Sequence, residues 1–449
     1  MPAATSTSGR LPRLSLMMGW WSLVSAMFYL YIAALVASIV GVRDALIGIV
    51  LTVVVYGVIN KVLAGLAIDT GSTVEALSRV MFGRVGSLLA TAVFAATALY
   101  YGIFEGSIIA VTFEAWTRES LGWSINVWYF IVVAYSTPLV FGGVRNWLDK
   151  LNGILLPLYI VGLAAAVVVA AVVGQPSGWT ATGPAAPIAV SQGGPGWLLA
   201  FGIYMGVWIL MMYTVDFARL GRPEDRRFHT TVTFGWVFYT CVFLVNGLIG
   251  IFLAHALREQ VGTTVSEGGV AVALTQVMGF WAVLLVWISQ TRINTANYYL
   301  ASTNLEALGR HALRLRLPRV VWVLVGSLIM FVVMLTNVFS YILTALSWQG
   351  VLVTGWVAIA LTHVALQRRK TTAVEADAET SALVSLPGVI AWVTASVVGL
   401  GLLEAGPAWS GTWGPILTAA VAAALYAGLQ PLARRPATRA STASSRVPA

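Results

Sequence analysis

The sequence predicts an all-α integral membrane protein with about twelve transmembrane helices. Three observations carry the prediction. Hydrophobic residues fill 59% of the 449 positions and charged residues only 10%, with a mean hydropathy of +0.85; a soluble domain carries about 25% charged residues. Apolar runs recur along the chain at the ~20-residue length that a bilayer's hydrocarbon core requires. Counted as twelve, those runs sort the basic residues to one side of the membrane.

The runs lie near 16–40, 45–67, 86–116, 124–144, 152–174, 197–217, 231–256, 269–301, 319–341, 346–366, 382–403 and 412–432. The stretch from 319 to 366 is almost continuous, broken only by Thr336-Asn337 and Ser347-Trp348-Gln349-Gly350. An even count puts both termini on one side. With the N-terminus inside, all 26 Lys and Arg fall in cytoplasmic tails, loops or helix ends except Arg43, Arg118 and Arg258, which fall outside, and Arg292, within a span. The formal charge of +9 is therefore an orientation signal rather than a nucleic-acid surface. Arg far outnumbers Lys, and with abundant Ala, Gly and Val this suggests a bacterial inner membrane. Met1–Pro12 is polar and the first apolar run is too long for a cleaved signal peptide. A single cysteine, Cys241, excludes a disulfide framework.

Between the spans, both tails are rich in Ser, Thr, Ala and Pro and are expected to be disordered. Ser72-Thr73-Val74-Glu75 has the pattern of a capping box opening a short cytoplasmic helix through Met81. Glu306–Arg319 is basic and amphipathic and reads as a surface helix on the inner leaflet. The outer loop Gln175–Gln192 is uncharged and rich in Pro and Gly.

The first and sixth spans echo each other. Both open with Gly-Trp (Gly19-Trp20 and Gly196-Trp197), and both carry small residues mid-span: Ser22, Ser25 and Ala26 in one, Gly202 and Gly206 in the other. Interrupted helices at corresponding positions are the mark of an inverted-repeat transporter with its site at the midplane.

Polar residues at membrane depth must face protein, water or a ligand. The 21 residues Gly269 to Ser289 carry no charge, and the same span then turns into Gln290-Thr291-Arg292-Ile293-Asn294-Thr295-Ala296-Asn297. Gln290, Asn294 and Asn297 share a helical face, where amides can donate and accept as a nucleobase edge requires; the alternative is a helix that ends near Ser289. In the third span, Glu105 follows an uncharged run from Gly86 to Phe104, with Tyr101 one turn away. An aromatic plane beside a carboxylate suits a flat heterocycle, and the alternative is a structural carboxylate tied to Arg292 or to backbone. In the sixth span Gly206-Val207-Trp208 sets an aromatic beside flexible backbone, unless Trp208 merely packs or faces lipid. Asp216 and Arg219, at the end of that span, read as a structural ion pair or gate. The four histidines form no metal-binding spacing, no Walker A motif is present, and no clustered His, Asp or Ser suggests an enzyme acting on lipids.

These stretches resemble the nucleobase–cation symporters of the cytosine and purine permease and hydantoin transporter type. Asp216-Phe217-Ala218-Arg219 looks like that family's Asp-x-x-Arg, Asn294-Thr295-Ala296-Asn297-Tyr298-Tyr299 looks like its Asn-rich signature, and Tyr101 to Glu105 has the spacing of its third-helix aromatic and amide. The resemblance covers nearly the whole chain. It implies a leucine-transporter-like core of two inverted five-helix repeats, residues 14–174 and 196–367, with two peripheral helices in 381–432 and tails at 1–13 and 433–449. It also implies a small heterocyclic substrate held by Tyr101, Glu105, Trp208 and Asn294, with Gly206, Gln290 and Asn297 adjoining, and no cofactor beyond a coupling H+ or Na+.

Two departures from the family pattern bear on mechanism. The third-helix amide is the acid Glu105, which prefers a substrate edge with two donors or a cationic substrate, or carries a coupling proton. Where sodium-coupled members have hydroxyls, this chain has Arg292-Ile293, so Arg292 is expected as a built-in cation near Ser25 and Ser289. Proton coupling or facilitated exchange is then at least as expected as sodium coupling. The rival of the same fold is an amino-acid or amine transporter.

Overall fold

Helices supply every regular element among the described residues of the computed structural model, which are 10–141, 149–184, 193–262, 268–336, 342–366 and 381–433. The first apolar run is two helices. α1 (Arg13–Trp20) and α2 (Met27–Val40) are joined by a 3-10 turn, Trp21–Ser25, and by Ala26 in an extended conformation, with a bend of 43°. Serine side chains contribute to the break by competing for backbone carbonyls: Ser22 Oγ donates to Gly19 O at 2.9 Å and Ser25 Oγ to Ser22 O at 2.9 Å. The sixth run repeats the device. α7 (Gly196–Met205) and α8 (Ile209–Ala218) bend by 45° at Gly206–Trp208.

Between the two broken pairs lie α3 (Val42–Thr70), α4 (Val74–Thr117), α5 (Ile125–Leu139) and α6 (Asp149–Val173). Gly83, at φ +81°, folds α4 into a short leading helix and a long one. After α8 come α9 (Pro223–Ala256), with two π-helical turns, and α10 (Arg258–Val261). Next are α11 (Gly269–Met278) and α12 (Phe280–His311), hinged at Gly279 with φ +56°. α13 (Arg319–Met334), α14 (Ile342–Leu366), α15 (Leu386–Ala405) and α16 (Ser410–Ala433) complete the chain. α4 and α12 pack along each other at the centre, α9 lies on α2, and α15 and α16 pack on α14 at the periphery. Along α6, Ile154, Val161, Val168 and Val172 form an exposed apolar stripe suited to lipid tails.

By length and composition seven of these helices can cross a membrane, and up to nine if each bent pair is one span. This is fewer than the twelve expected, and the reasons are local. α5 and α13 have 15 and 16 residues, about 23 Å at ~1.5 Å per residue against a core ~30 Å thick. The eighth run is divided at Gly279.

Other expectations also need correction. Residues 10–12 are ordered rather than part of a disordered tail: Arg10 Nη1 donates to Ile68 O at 2.7 Å and to Gly221 O at 2.5 Å, and Leu11 is buried. Residues 1–9 and 434–449, and part of the Gln175–Gln192 loop, lie outside the described residues. Glu306 to His311 is the end of α12 rather than a separate surface helix, and 312–318 is not helical. The cap of α4 is Thr73, whose hydroxyl accepts from Ala76 N at 3.0 Å, while Glu75 pairs with Arg79 at 2.6 Å and His311 at 3.1 Å.

A Cβ at Gly250 would fall on the Leu30 carbonyl of α2, whereas one at Gly401 would meet nothing within 4 Å. Overpacking of this kind costs about 1–3 kcal/mol. Gly250→Ala is expected to lower the thermal midpoint in detergent by several degrees and Gly401→Ala to leave it unchanged; equal effects would contradict the close approach of α9 to α2.

Candidate functional site

A broken helix frees backbone groups that need partners. At the α1–α2 break four of six come from elsewhere in the chain. Trp21 O accepts from Arg292 Nη2 at 2.9 Å, and Ser22 O from Ser25 Oγ at 2.9 Å. Leu23 O accepts from Ala26 N at 3.3 Å, Val24 O from Asn246 Nδ2 at 2.6 Å, and Ser25 O from Ser289 Oγ. On the other side of the break, Met27 N donates to Gln290 Oε1 at 3.0 Å. Each carbonyl from 21 to 25 thus has a protein donor, and three of those five donors or their neighbours lie on α12 or α9. The α7–α8 break is held by Tyr56 OH, which donates to Tyr204 O at 2.5 Å, and by Gln349 Nε2, which donates to Gly206 O at 3.2 Å. Gly350 backs directly onto Gly206, an approach that a side chain at Gly350 would block.

Between the two breaks, α4 and α12 enclose a cavity of about 20 Å³. Its walls are Ala26, Phe28 and Tyr29 from α2 and the preceding turn, Tyr101 and Glu105 from α4, Val207, Leu210 and Tyr213 from the second break, and Ile293 and Asn297 from α12. That volume holds about one water, so a ligand enters only as the rings move apart. The rings brace one another edge to face: Phe28 stands 5.7 Å from Tyr101 at 89° and 5.7 Å from Phe104 at 81°. Gln290 Nε2 donates to Glu105 Oε2, fixing the carboxylate, and its own Oε1 accepts from Met27 N and from Ser289 Oγ at 3.1 Å. Tyr213 OH donates to Asn297 Oδ1 at 3.5 Å, and Asn297 Nδ2 to Asn294 Oδ1 at 3.4 Å. The Tyr101 hydroxyl is buried with no hydrogen-bond partner among the described residues. The site therefore presents a carboxylate, an amide and a free phenol inside a ring of aromatics, groups that can both donate to and accept from a flat polar molecule.

Of the residues singled out in the sequence, Tyr101, Glu105 and Asn297 line the cavity. Gln290 stands behind Glu105. Asn294 lies a layer further back, with Nδ2 unpartnered. Ser25 and Ser289 clasp each other's backbone across α1–α2 and α12, Ser25 Oγ donating to Ser289 O at 3.1 Å. Arg292 does not meet Glu105; it turns to Trp21 O and lies 6.0 Å from the Tyr159 ring centre, with Nε and Nη1 buried and without a partner among the described residues. Gly206 forms the second break but borders a different, apolar cavity of about 270 Å³ among α2, α7, α14, α15 and α16. Trp208 lines neither cavity, and Val207 takes the place expected of it. Asp216 and Arg219 make no direct salt bridge among the described residues, though the Arg219 charge lies close enough to act on the acid; Asp216 Oδ1 accepts from Val74 N at 2.8 Å, capping α4.

Phe28, Tyr29 and Tyr213 were missed in the sequence. Their signal was the cluster Phe28-Tyr29-Leu30-Tyr31 directly after the small residues of the first break, and the matching Tyr213 after the second.

Gln290 joins three elements through one side chain. Gln290→Leu leaves Met27 N without its acceptor and Glu105 without its donor, at about 1–3 kcal/mol for each stranded buried group. The variant is expected to unfold at a clearly lower temperature in detergent, with Trp208→Phe, which removes an unbonded indole N–H, close to the parent; the reverse order would contradict this bonding scheme.

No protein-family model and no curated protein matches the sequence, but solved structures do match the fold. Mhp1, a nucleobase-cation-symport-1 family transporter, in a closed conformation with bromovinylhydantoin bound, aligns with a TM-score of 0.74 at 18% identity, over 96% of this chain and 94% of that one. A Na+-coupled sialic acid symporter in a substrate-bound outward-open state aligns at 0.66 and 11% identity, over 94% and 90% of the two chains. A manganese transporter from Eremococcus coleocola, in complex with an aromatic bis-isothiourea-substituted compound, aligns at 0.55 and 15%, over 96% and 97%. At these identities what is common is the architecture: this multi-pass membrane chain is built on the fold that the three share.

Proposed function

We propose that this chain is a secondary transporter that imports a nucleobase or a related small heterocycle, such as a hydantoin, by alternating access. The observation that carries the reading is the closed cavity where two broken helices meet, walled by aromatics and carrying a carboxylate and an amide. Hydrogen-bonding groups within an apolar, ring-lined enclosure are what a flat polar substrate needs to leave water. In this reading Tyr101 and Tyr213 flank the ring, Glu105 and Asn297 bond its edge, and Gln290 and Asn294 hold those two in place. The near-equal bends of 43° and 45° support two inverted repeats, 14–174 and 196–367, with twelve membrane crossings, and with both termini on the cytoplasmic side of the inner membrane. The short helices α5 and α13 then cross where the protein thins or tilts against the bilayer.

Coupling follows from the first break. A sodium ion would need carbonyl oxygens there, and those of residues 21 to 25 each accept a hydrogen bond, one of them from the charged Arg292, which would repel a second cation. Arg292 serves as a resident cation there, and the coupled ion is the proton.

Uptake of labelled purines, pyrimidines, hydantoins and amino acids into proteoliposomes, under a sodium or a proton gradient in turn, tests both statements. Heterocycle uptake driven by protons and unchanged when potassium replaces sodium is expected. Sodium-driven uptake would refute the role of Arg292, and uptake of amino acids alone would overturn the substrate class.

A further inference from the structure

Glu105 is a carboxyl group that needs either a proton or a counter-charge. It is buried in the centre of the helix bundle, and its bonding partner among the described residues is neutral Gln290. The ion pairs of the described residues all lie elsewhere, and none includes Glu105. The basic residue on the facing stretch of α12, Arg292, is turned to the Trp21 carbonyl beneath Tyr159. An ionised carboxylate removed from water without a counter-charge costs several kcal/mol or more. The starts of α2 and α8 border the same space and offer partial positive charge, but Met27 N is already taken by Gln290. When Glu105 is ionised, its cation must therefore come from outside the fold; otherwise the acid holds a proton.

The surroundings specify what kind. Phe28, Tyr29, Tyr101 and Tyr213 ring the carboxylate, and the cation–π contacts of the described residues use other rings, those of Phe228, Tyr159 and Tyr299. Four aromatic side chains around one acid form a cage whose faces attract positive charge and whose acid neutralises it. A carboxylate facing a planar edge with two N–H donors is the pairing that an amidinium or guanidinium makes.

We infer that Glu105 is the counter-charge for a cationic substrate, a compact planar molecule with an amidinium-like edge such as a protonated amino-heterocycle, and that this cation and a proton alternate on the same carboxylate. The inference narrows the substrate of the proposed transporter and rests on that reading. As the cation binds, Glu105 gives up its proton to the side from which the cation came; after the cation leaves on the other side, the acid takes a proton there and the empty site returns. One cation moves in for each proton that moves out, so in proteoliposomes uptake is driven by a lumen more acidic than the medium. The groups facing Glu105 do not disturb this exchange near neutral pH: they are the phenols of Tyr29, Tyr101 and Tyr213 and the amides of Gln290 and Asn297, with Arg292 directed away.

The test uses the purified full-length protein and a matched pair of probes, benzamidinium and benzamide, alike in shape and different in charge, with uracil as a neutral nucleobase. Ligand-induced thermal stabilisation reads binding and proteoliposomes read uptake. Benzamidinium is expected to bind at least about tenfold more tightly than benzamide and to weaken at least about tenfold from about pH 8 to about pH 5, because its own charge stays fixed while the proton competes for the acid. Glu105→Gln is expected to abolish the preference for the cation and keep the neutral probes. Should that variant fail to fold, the pH dependence in the parent decides, and flat benzamidinium binding refutes the exchange. Binding of uracil but not of benzamidinium would overturn this inference and leave the transporter reading standing. No binding or uptake of any probe, heterocycle or cation, would overturn both.

Discussion

A helix cannot stop inside a bilayer unless the amides it releases find new partners. This constraint shapes the centre of the protein. Two helices are interrupted at matching places, and the side chains that repair them arrive from α12, α9, α3 and α14. The polar row Ser289-Gln290-Thr291-Arg292, which looks out of place in an apolar span, supplies three of the repairs: Ser289 for Ser25 O, Gln290 for Met27 N and Arg292 for Trp21 O. Polar side chains at membrane depth are here a condition of the fold before they are part of any chemistry.

The same row divides labour by helical face. The face carrying Arg292 reaches the carbonyl end of the first break, and the face carrying Gln290 and Asn297 turns to Glu105 and the aromatic cage. One basic and one acidic group therefore lie on separate sides of α1–α2, each facing its own task, instead of cancelling in a pair. Gln290 spans the boundary, since its oxygen serves the backbone and its nitrogen serves the acid. Reorienting the carboxylate therefore perturbs the repaired break, which ties what the cavity holds to the state of the two half-helices.

Much of this was legible in the sequence because membranes penalise polar atoms so heavily. Glu105, Tyr101 and the Asn-Gln row stood out as exceptions in apolar runs, and small residues marked both breaks at Ser22–Ala26 and Gly206. What escaped has equally physical causes. Helix rotation about a break is not readable from spacing, so Trp208 was expected where Val207 stands. Asp216 and Arg219, three apart on one helix, suggested a pair, but the unpaired amide of Val74 in another element offered the acid a better partner. Phe28, Tyr29 and Tyr213 were hidden because aromatics are ordinary in a span, and only the fold brings them around one carboxylate. Where a run breaks was not legible either, because an apolar run carries no sign of where a glycine such as Gly279 will hinge it.

The bond from Val74 N to Asp216 Oδ1 joins the far end of one broken helix to the first turn of α4. A cap of this kind is worth about 1 kcal/mol, under two units of thermal energy. It acts as a latch, firm enough to hold the two elements in register and weak enough to release without a driving ligand of its own. Gly83 sets the short capped helix at an angle to the rest of α4, and backbone bonds to residues 382–385 pin that corner. Tilting of α8 would thereby reach the end of α4 remote from the cavity, leaving the long segment that carries Tyr101 and Glu105 unbent.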